Sequence, residues 1–141
     1  TISMNKPHYM SSEQIRQLSD EGHVIASHTW DHHRTDRYIK GDRMIPVGNK
    51  QMKFNDWDVQ LTQTKKKLEQ ITGKKIDYFA YPFGVWNEAG IPEIKSRGYK
   101  MAFQLATKRD SLEPLYTVRR IIVAPSWSGE GLIRSMKISF K

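Results

Sequence analysis

The stretch Gly22-His23-Val24-Ile25-Ala26-Ser27-His28-Thr29-Trp30-Asp31-His32-His33 runs from a helix stop through a short apolar segment into a cluster of imidazoles. Residues 23–27 have the length and apolar content of a short buried strand, and Gly22 punctuates the segment before them. Upstream, Ser11 and Gln14 have capping-box spacing, in which each side chain satisfies an end amide of a first helical turn. Ile15 and Leu18 give that helix an apolar face. Downstream, residues 28–54 read as loop, with Gly41, Pro46, Gly48 and Asn49. A connection that long is usually functional or mobile.

The same alternation continues to the C-terminal end. Asn55-Asp56-Trp57-Asp58 reads as the cap of a second helix. Trp57, Leu61, Thr64, Leu68 and Ile71 recur at helical spacing and form its core-facing stripe. Gly73 ends it, and residues 76–81 read as a strand that Pro82-Phe83-Gly84 breaks. Asn87 caps a third helix, with Pro92 early in it and Gly98 at its close. Residues 99–105 are a strand, 106–114 a loop and 116–123 another strand. Ser128 caps a last helix containing Leu132, Ile133 and Met136. This order predicts an α/β protein with βαβ crossovers and a mainly parallel sheet or barrel. Ligands in such folds sit at the carboxyl ends of the strands.

Two segments occupy that position. In the first, His28 and His32 stand four apart, so on a helical turn both imidazoles point the same way. That suits two ligands of one divalent metal. The same residues would also serve as a polar loop capping a strand end. His8 and His23 lie outside the cluster and read as structural or surface residues. The second segment is Phe79-Ala80-Tyr81-Pro82-Phe83-Gly84-Val85-Trp86-Asn87. Pro fixes its backbone and Gly lets it turn, giving a rigid aromatic loop. It could present a backbone N–H to an oxyanion and an apolar wall to a ligand, or it could be a turn with buried aromatics.

The 141 residues amount to one domain, with enough chain to bury a core unaided. The net charge of +8 favours anionic partners or a solvated lysine-rich surface. Lys65-Lys66-Lys67 and Lys74-Lys75 carry no interleaved aromatics, which argues against nucleic acid. The chain has no cysteine, so disulfides, thiol catalysis and thiolate metal sites are excluded. No apolar run reaches the ~18 residues of a membrane span. The start at Thr1-Ile2-Ser3, with neither Met nor a signal peptide, reads as a piece or processed form of a longer protein.

The two motifs together resemble the NodB-like polysaccharide deacetylases, over roughly residues 10–125. His28-Thr29-Trp30-Asp31-His32 resembles that family's His-[Ser/Thr]-x-x-x-His metal motif, and Ile15 to Ser27 resembles its lead-in. Pro82-Phe83-Gly84 resembles the loop that walls the active-site groove. Phe79-Ala80-Tyr81-Pro82-Phe83-Gly84 is most like the branch with poly-N-acetylglucosamine deacetylases. The resemblance implies a deformed (β/α) barrel, of which residues 1–141 are the central and C-terminal part, its N-terminal strand lying outside this chain. It implies metal-assisted hydrolysis of N-acetyl groups on a polysaccharide. His28 and His32 would be metal ligands, and the Phe83 N–H an oxyanion donor. Arg119 or, in preference, Arg120 would match a late-strand arginine that orients a catalytic carboxylate. Trp30, Tyr81, Pro82 and Trp127 would contact sugar. Zinc is the first choice of metal, although cobalt or ferrous iron suits the same ligand types. An upstream Asp-Asp pair would supply the base and the third ligand. The family's late Leu-x-x-His motif has no match, since no His follows His33. The resemblance also implies a cell-envelope or secreted setting. The missing strand would expose a sheet edge on which a second copy pairs. The rival reading is a catalytically inactive glycan-binding module on the same fold.

Overall fold

The computed structural model describes residues 3–36, 44–47, 50–53 and 56–140. Helix α1 (Ser12–Asp20) starts at the expected capping box. The Gln14 N–H donates to the Ser11 hydroxyl, and the Gln14 side chain accepts from the Ser11 N–H. Strands β1 (Met44–Val47) and β2 (Lys50–Lys53) pair antiparallel, with Val47 opposite Lys50. They lie inside the segment expected to be loop. Their antiparallel pairing over four positions corrects this reading. Of the expected cap for the next helix, Asn55 lies outside the described residues.

That helix begins as a π-helical turn over Asp58–Gln63 and continues as α2 (Thr64–Thr72). Gly73 closes it with φ +68°. Leu61, Thr64, Leu68 and Ile71 of the expected stripe are buried, and the π turn also brings in Val59 and Gln60. Strand β3 (Tyr78–Ala80), helix α3 (Gly90–Ser96), strand β4 (Met101–Gln104), strand β5 (Val118–Arg119) and helix α4 (Gly129–Ser139) follow. Asn87 Oδ1 accepts from Gly90 N at 3.0 Å, and Ser128 caps α4.

β3, β4 and β5 form a parallel sheet in that order, with Phe79 opposite Ala102 and Phe103 opposite Val118. The fold is thus α/β around three parallel strands. All four expected strands are shorter than their sequences suggested: 76–81 is trimmed to β3, 99–105 to β4 and 116–123 to β5, and 23–27 forms no strand. Residues 23–27 contribute one parallel bridge, Ser27 to Phe79, and Val24 is 70% exposed. Residues 121–123 carry no ladder, and Ile122 and Val123 are exposed. Apolar β-branched runs become strands only where a neighbour completes the ladder, and none does so there among the described residues.

The core joins Leu61, Leu68, Phe79, Tyr81, Ile91, Ile94, Tyr99, Ala102 and Tyr116 in one cluster. Three tyrosines tie it to the backbone. The hydroxyl of Tyr81 donates to Tyr116 O (3.0 Å), that of Tyr116 to Tyr99 O (2.8 Å) and that of Tyr99 to Leu61 O (2.9 Å). Burial pushes the Tyr81 and Tyr99 hydroxyls far above the ordinary tyrosine range, so both stay donors. Each ring contributes roughly 1.5–3 kcal/mol of burial, with its polar atom satisfied. No residue of α4 joins this core.

Candidate functional site

The ends of β3 and of the Ser27 segment carry the two motifs. Ser27 N donates to Tyr78 O (2.9 Å), and Ala80 N donates to Ser27 O (2.8 Å). This bridge delivers His28 beside the end of β3. There His28 Nδ1 lies 2.6 Å from Ala80 O. A carbonyl only accepts, so Nδ1 carries the proton and Nε2 keeps a free lone pair. Burial, more than any other cause, holds the His28 pKa below its ordinary value; the bond to Ala80 O opposes it, and the nearby His32 and Arg120 push the same way as burial. The balance favours the neutral ring, and the bond to Ala80 O orients it.

His32 reaches the same place without a helix. Thr29 and His32 both take φ +65°, two left-handed residues that fold the loop back on itself. The imidazole centroids of His28 and His32 stand 4.9 Å apart. The convergence expected from helical spacing is present, but it comes from loop backbone. The Trp30 N–H donates to Gln60 Oε1 at 3.1 Å, which pins this loop to the π turn.

On the other side, Pro82–Gly84 forms a single 3₁₀ turn. Phe83 has φ +58° and Gly84 φ +69°. A Cβ on Gly84 would lie 2.3 Å from Leu105 Cγ, so only glycine lets the turn close on the end of β4. The Phe83 ring is 55% exposed and packs on His32, centroids 4.4 Å apart. The Arg34 guanidinium stands 5.8 Å from the centre of the same ring. Among the described residues, no protein acceptor receives the Phe83 N–H. Arg120 Nη2 donates to Tyr81 O at 3.1 Å, and its Nε is buried without a partner.

His28, His32, Trp30 and Asp31 line a cleft of about 480 Å³ together with Met4, Tyr9 and Met10. Two of the expected sugar contacts need correcting. The Tyr81 ring is fully buried and spends its hydroxyl in the core, because it shares a strand face with Phe79. Pro82 is buried beneath the turn. Trp127 is 40% exposed but does not line this cleft. Sequence reasoning missed Gln60, Arg34 and the Phe83–His32 contact. Long sequence separations hide all three.

Two imidazoles 4.9 Å apart beside an open cleft, His28 with its Nε2 turned away from Ala80 O, fit a borderline divalent ion as part of a ligand set. Among the described residues, no group of three His, Cys, Asp or Glu completes that set.

An α/β protein with paired imidazoles at the carboxyl ends of parallel strands is the class this geometry defines. The sequence profile of the polysaccharide deacetylases matches residues 2–102, and the chain belongs to that family. It is 25% identical over 141 residues to YxkH of Bacillus subtilis strain 168, covering 96% of this chain and 45% of YxkH. It is 22% identical over 135 residues to the poly-β-1,6-N-acetyl-D-glucosamine N-deacetylase of Escherichia coli K12, covering 86% of this chain and 20% of that protein. Among solved structures it superposes on BC0361, a polysaccharide deacetylase from Bacillus cereus, with a TM-score of 0.65 and 24% identity. That match covers 95% of this chain and 39% of the other. The chain thus spans less than half the length of these relatives. No helix among the described residues is long and apolar enough to cross a membrane.

Proposed function

We propose that this chain is the central and C-terminal part of a metal-dependent hydrolase on a deformed (β/α) barrel. The enzyme removes N-acetyl groups from an N-acetylglucosamine polysaccharide at the cell envelope. The observation that carries this reading is the His28–His32 pair, anchored on Ala80 O and facing a cleft beside the Pro82–Gly84 turn. His28 and His32 would hold a divalent ion, zinc in our reading, through the ring nitrogens left free. Such an ion supplies Lewis acidity toward an amide carbonyl and its attacking water.

The chain's own residues do the rest. Ala80 O fixes the His28 tautomer, and the Phe83 ring orients His32. The free Phe83 N–H would donate to the carbonyl oxygen as negative charge develops there. Arg120 acts as a positioning residue that holds the Tyr81 carbonyl and hence the turn. Trp30 would bound the sugar on the cleft wall. Water adds to the acetamide carbon, its protons pass by way of the base to the amide nitrogen, the C–N bond breaks, and acetate and an ammonium group leave. The carboxylate base and third ligand of this reading come from elsewhere in the complete protein.

A second reading is an inactive glycan-binding module on the same fold, to which the exposed Tyr9 and the apolar Met4 and Met10 on the cleft wall are equally suited. The two separate by experiment. Cobalt titration of the complete protein, followed by visible absorption, should show one site that His28→Ala and His32→Ala each abolish. Turnover of a β-1,6-linked N-acetylglucosamine oligomer should fall at least ~100-fold in either variant. Sugar binding without metal uptake or turnover in the complete protein would establish the binding module instead.

A further inference from the structure

We propose that Tyr9 is the aromatic platform of a carbohydrate subsite in the histidine cleft, held there by a clamped loop of residues 3–10. The proposal rests on the reading of the cleft as a site for an N-acetylglucosamine polymer. Tyr9 lines the same cleft as His28 and His32, yet it is 61% exposed. The loop does not need the ring to hold its shape. Asn5 N donates to Met10 O (3.1 Å), and Tyr9 N donates to Lys6 O (3.1 Å). Asn5 Oδ1 accepts from Ser12 N (2.8 Å), and Asn5 Nδ2 donates to Ser12 Oγ (3.0 Å). These bonds fasten the loop to the first turn of α1.

Asn5 and His8 sit at φ +62° and +67°. Asn and His tolerate that conformation better than most side chains, and the four hydrogen bonds to and from Asn5, Tyr9 and Ser12 hold it. The loop is therefore pre-organised, and what it presents is a large ring with an apolar face and a polar tip. A pyranose has the matching form, an apolar C–H face edged by hydroxyls. Met4, Met10 and Trp30 extend the apolar wall beside it. A rigid aromatic with few rotatable bonds gives contact area at low entropic cost.

The test is a calorimetric titration of the complete protein with a β-1,6-linked N-acetylglucosamine pentasaccharide, with circular dichroism as the fold check. Tyr9→Ala should weaken binding about three- to tenfold, the range of an aromatic contact. Tyr9→Phe should bind within about twofold of the parent protein, because the ring face is kept. Asn5→Ala should also weaken binding although Tyr9 is intact, since the clamp is released. If the parent protein binds and Tyr9→Ala binds equally well, the platform is wrong and the reading of the cleft stands. If Tyr9→Phe loses as much as Tyr9→Ala, the hydroxyl acts rather than the ring, and the stacking role is overturned. If the complete parent protein shows no binding, the reading of the cleft fails and the platform falls with it.

Discussion

Phe83 and Gly84 take the same left-handed backbone for different reasons. Gly84 is there because a side chain would strike Leu105. Phe83 is there because the turn demands it, and its ring is used against His32. Gly84→Val should therefore cost about 2–4 kcal/mol of stability in urea unfolding, from overlap and backbone strain together. A loss under about 1 kcal/mol would mean that the close approach to Leu105 is not real. Phe83→Ala keeps the N–H and loses only the ring. In the complete protein its turnover should fall no more than about tenfold, well short of the loss expected for His28→Ala. Equal losses in the two variants, with the fold intact, would make the ring a direct substrate contact. Local chemistry of this kind was partly legible in the sequence. The Ser11–Gln14 capping box, the Asn87 cap and the pairing of His28 with His32 depend on residues a few positions apart. A positive φ at an aromatic residue was not legible, because tertiary packing imposes it. Tyr81 was misread as a sugar contact although its spacing of two from Phe79 already put both on one strand face.

The helix of residues 58–72 shows what a change of helical pitch does. The sequence stripe assumes 3.6 residues per turn throughout, but the first six residues wind wider. The slip turns Gln60 inward, where it is fully buried, and its carboxamide reaches the backbone of Trp30. Such π turns often stand beside functional sites. Gln60→Leu fills the space but leaves the Trp30 N–H without that acceptor. The expected cost is about 1–3 kcal/mol, with faster amide hydrogen exchange at Trp30 than elsewhere in the fold. Unchanged exchange at Trp30 would show that Gln60 does not support the histidine loop. Most elements were legible because hydrophobic period and caps agree. Strand lengths were not, since residues 23–27 and 121–123 carry strand composition without a completed ladder.

At the scale of the molecule, the core and the C-terminal helix are separate. Ile133, Met136, Ile138 and Phe140 of α4 and its cap are exposed, and no residue of α4 is buried. Its side chains therefore contribute little to holding the sheet. Removing residues 129–141 should lower the unfolding free energy of the rest by less than about 2 kcal/mol in a urea melt. A larger loss would show that α4 packs more tightly than its exposure indicates. The site depends instead on contacts that are distant in sequence. The bond from His28 to Ala80 spans 52 positions, and closing a loop of that length costs entropy before any contact repays it. The ring is aimed only once β3 has docked beside Ser27, so in refolding experiments the imidazole pair is expected to form late and outside the nucleus. A substitution that slows this docking would delay the gain of ligand affinity by the same factor. Removal of an imidazole would leave the refolding rate untouched.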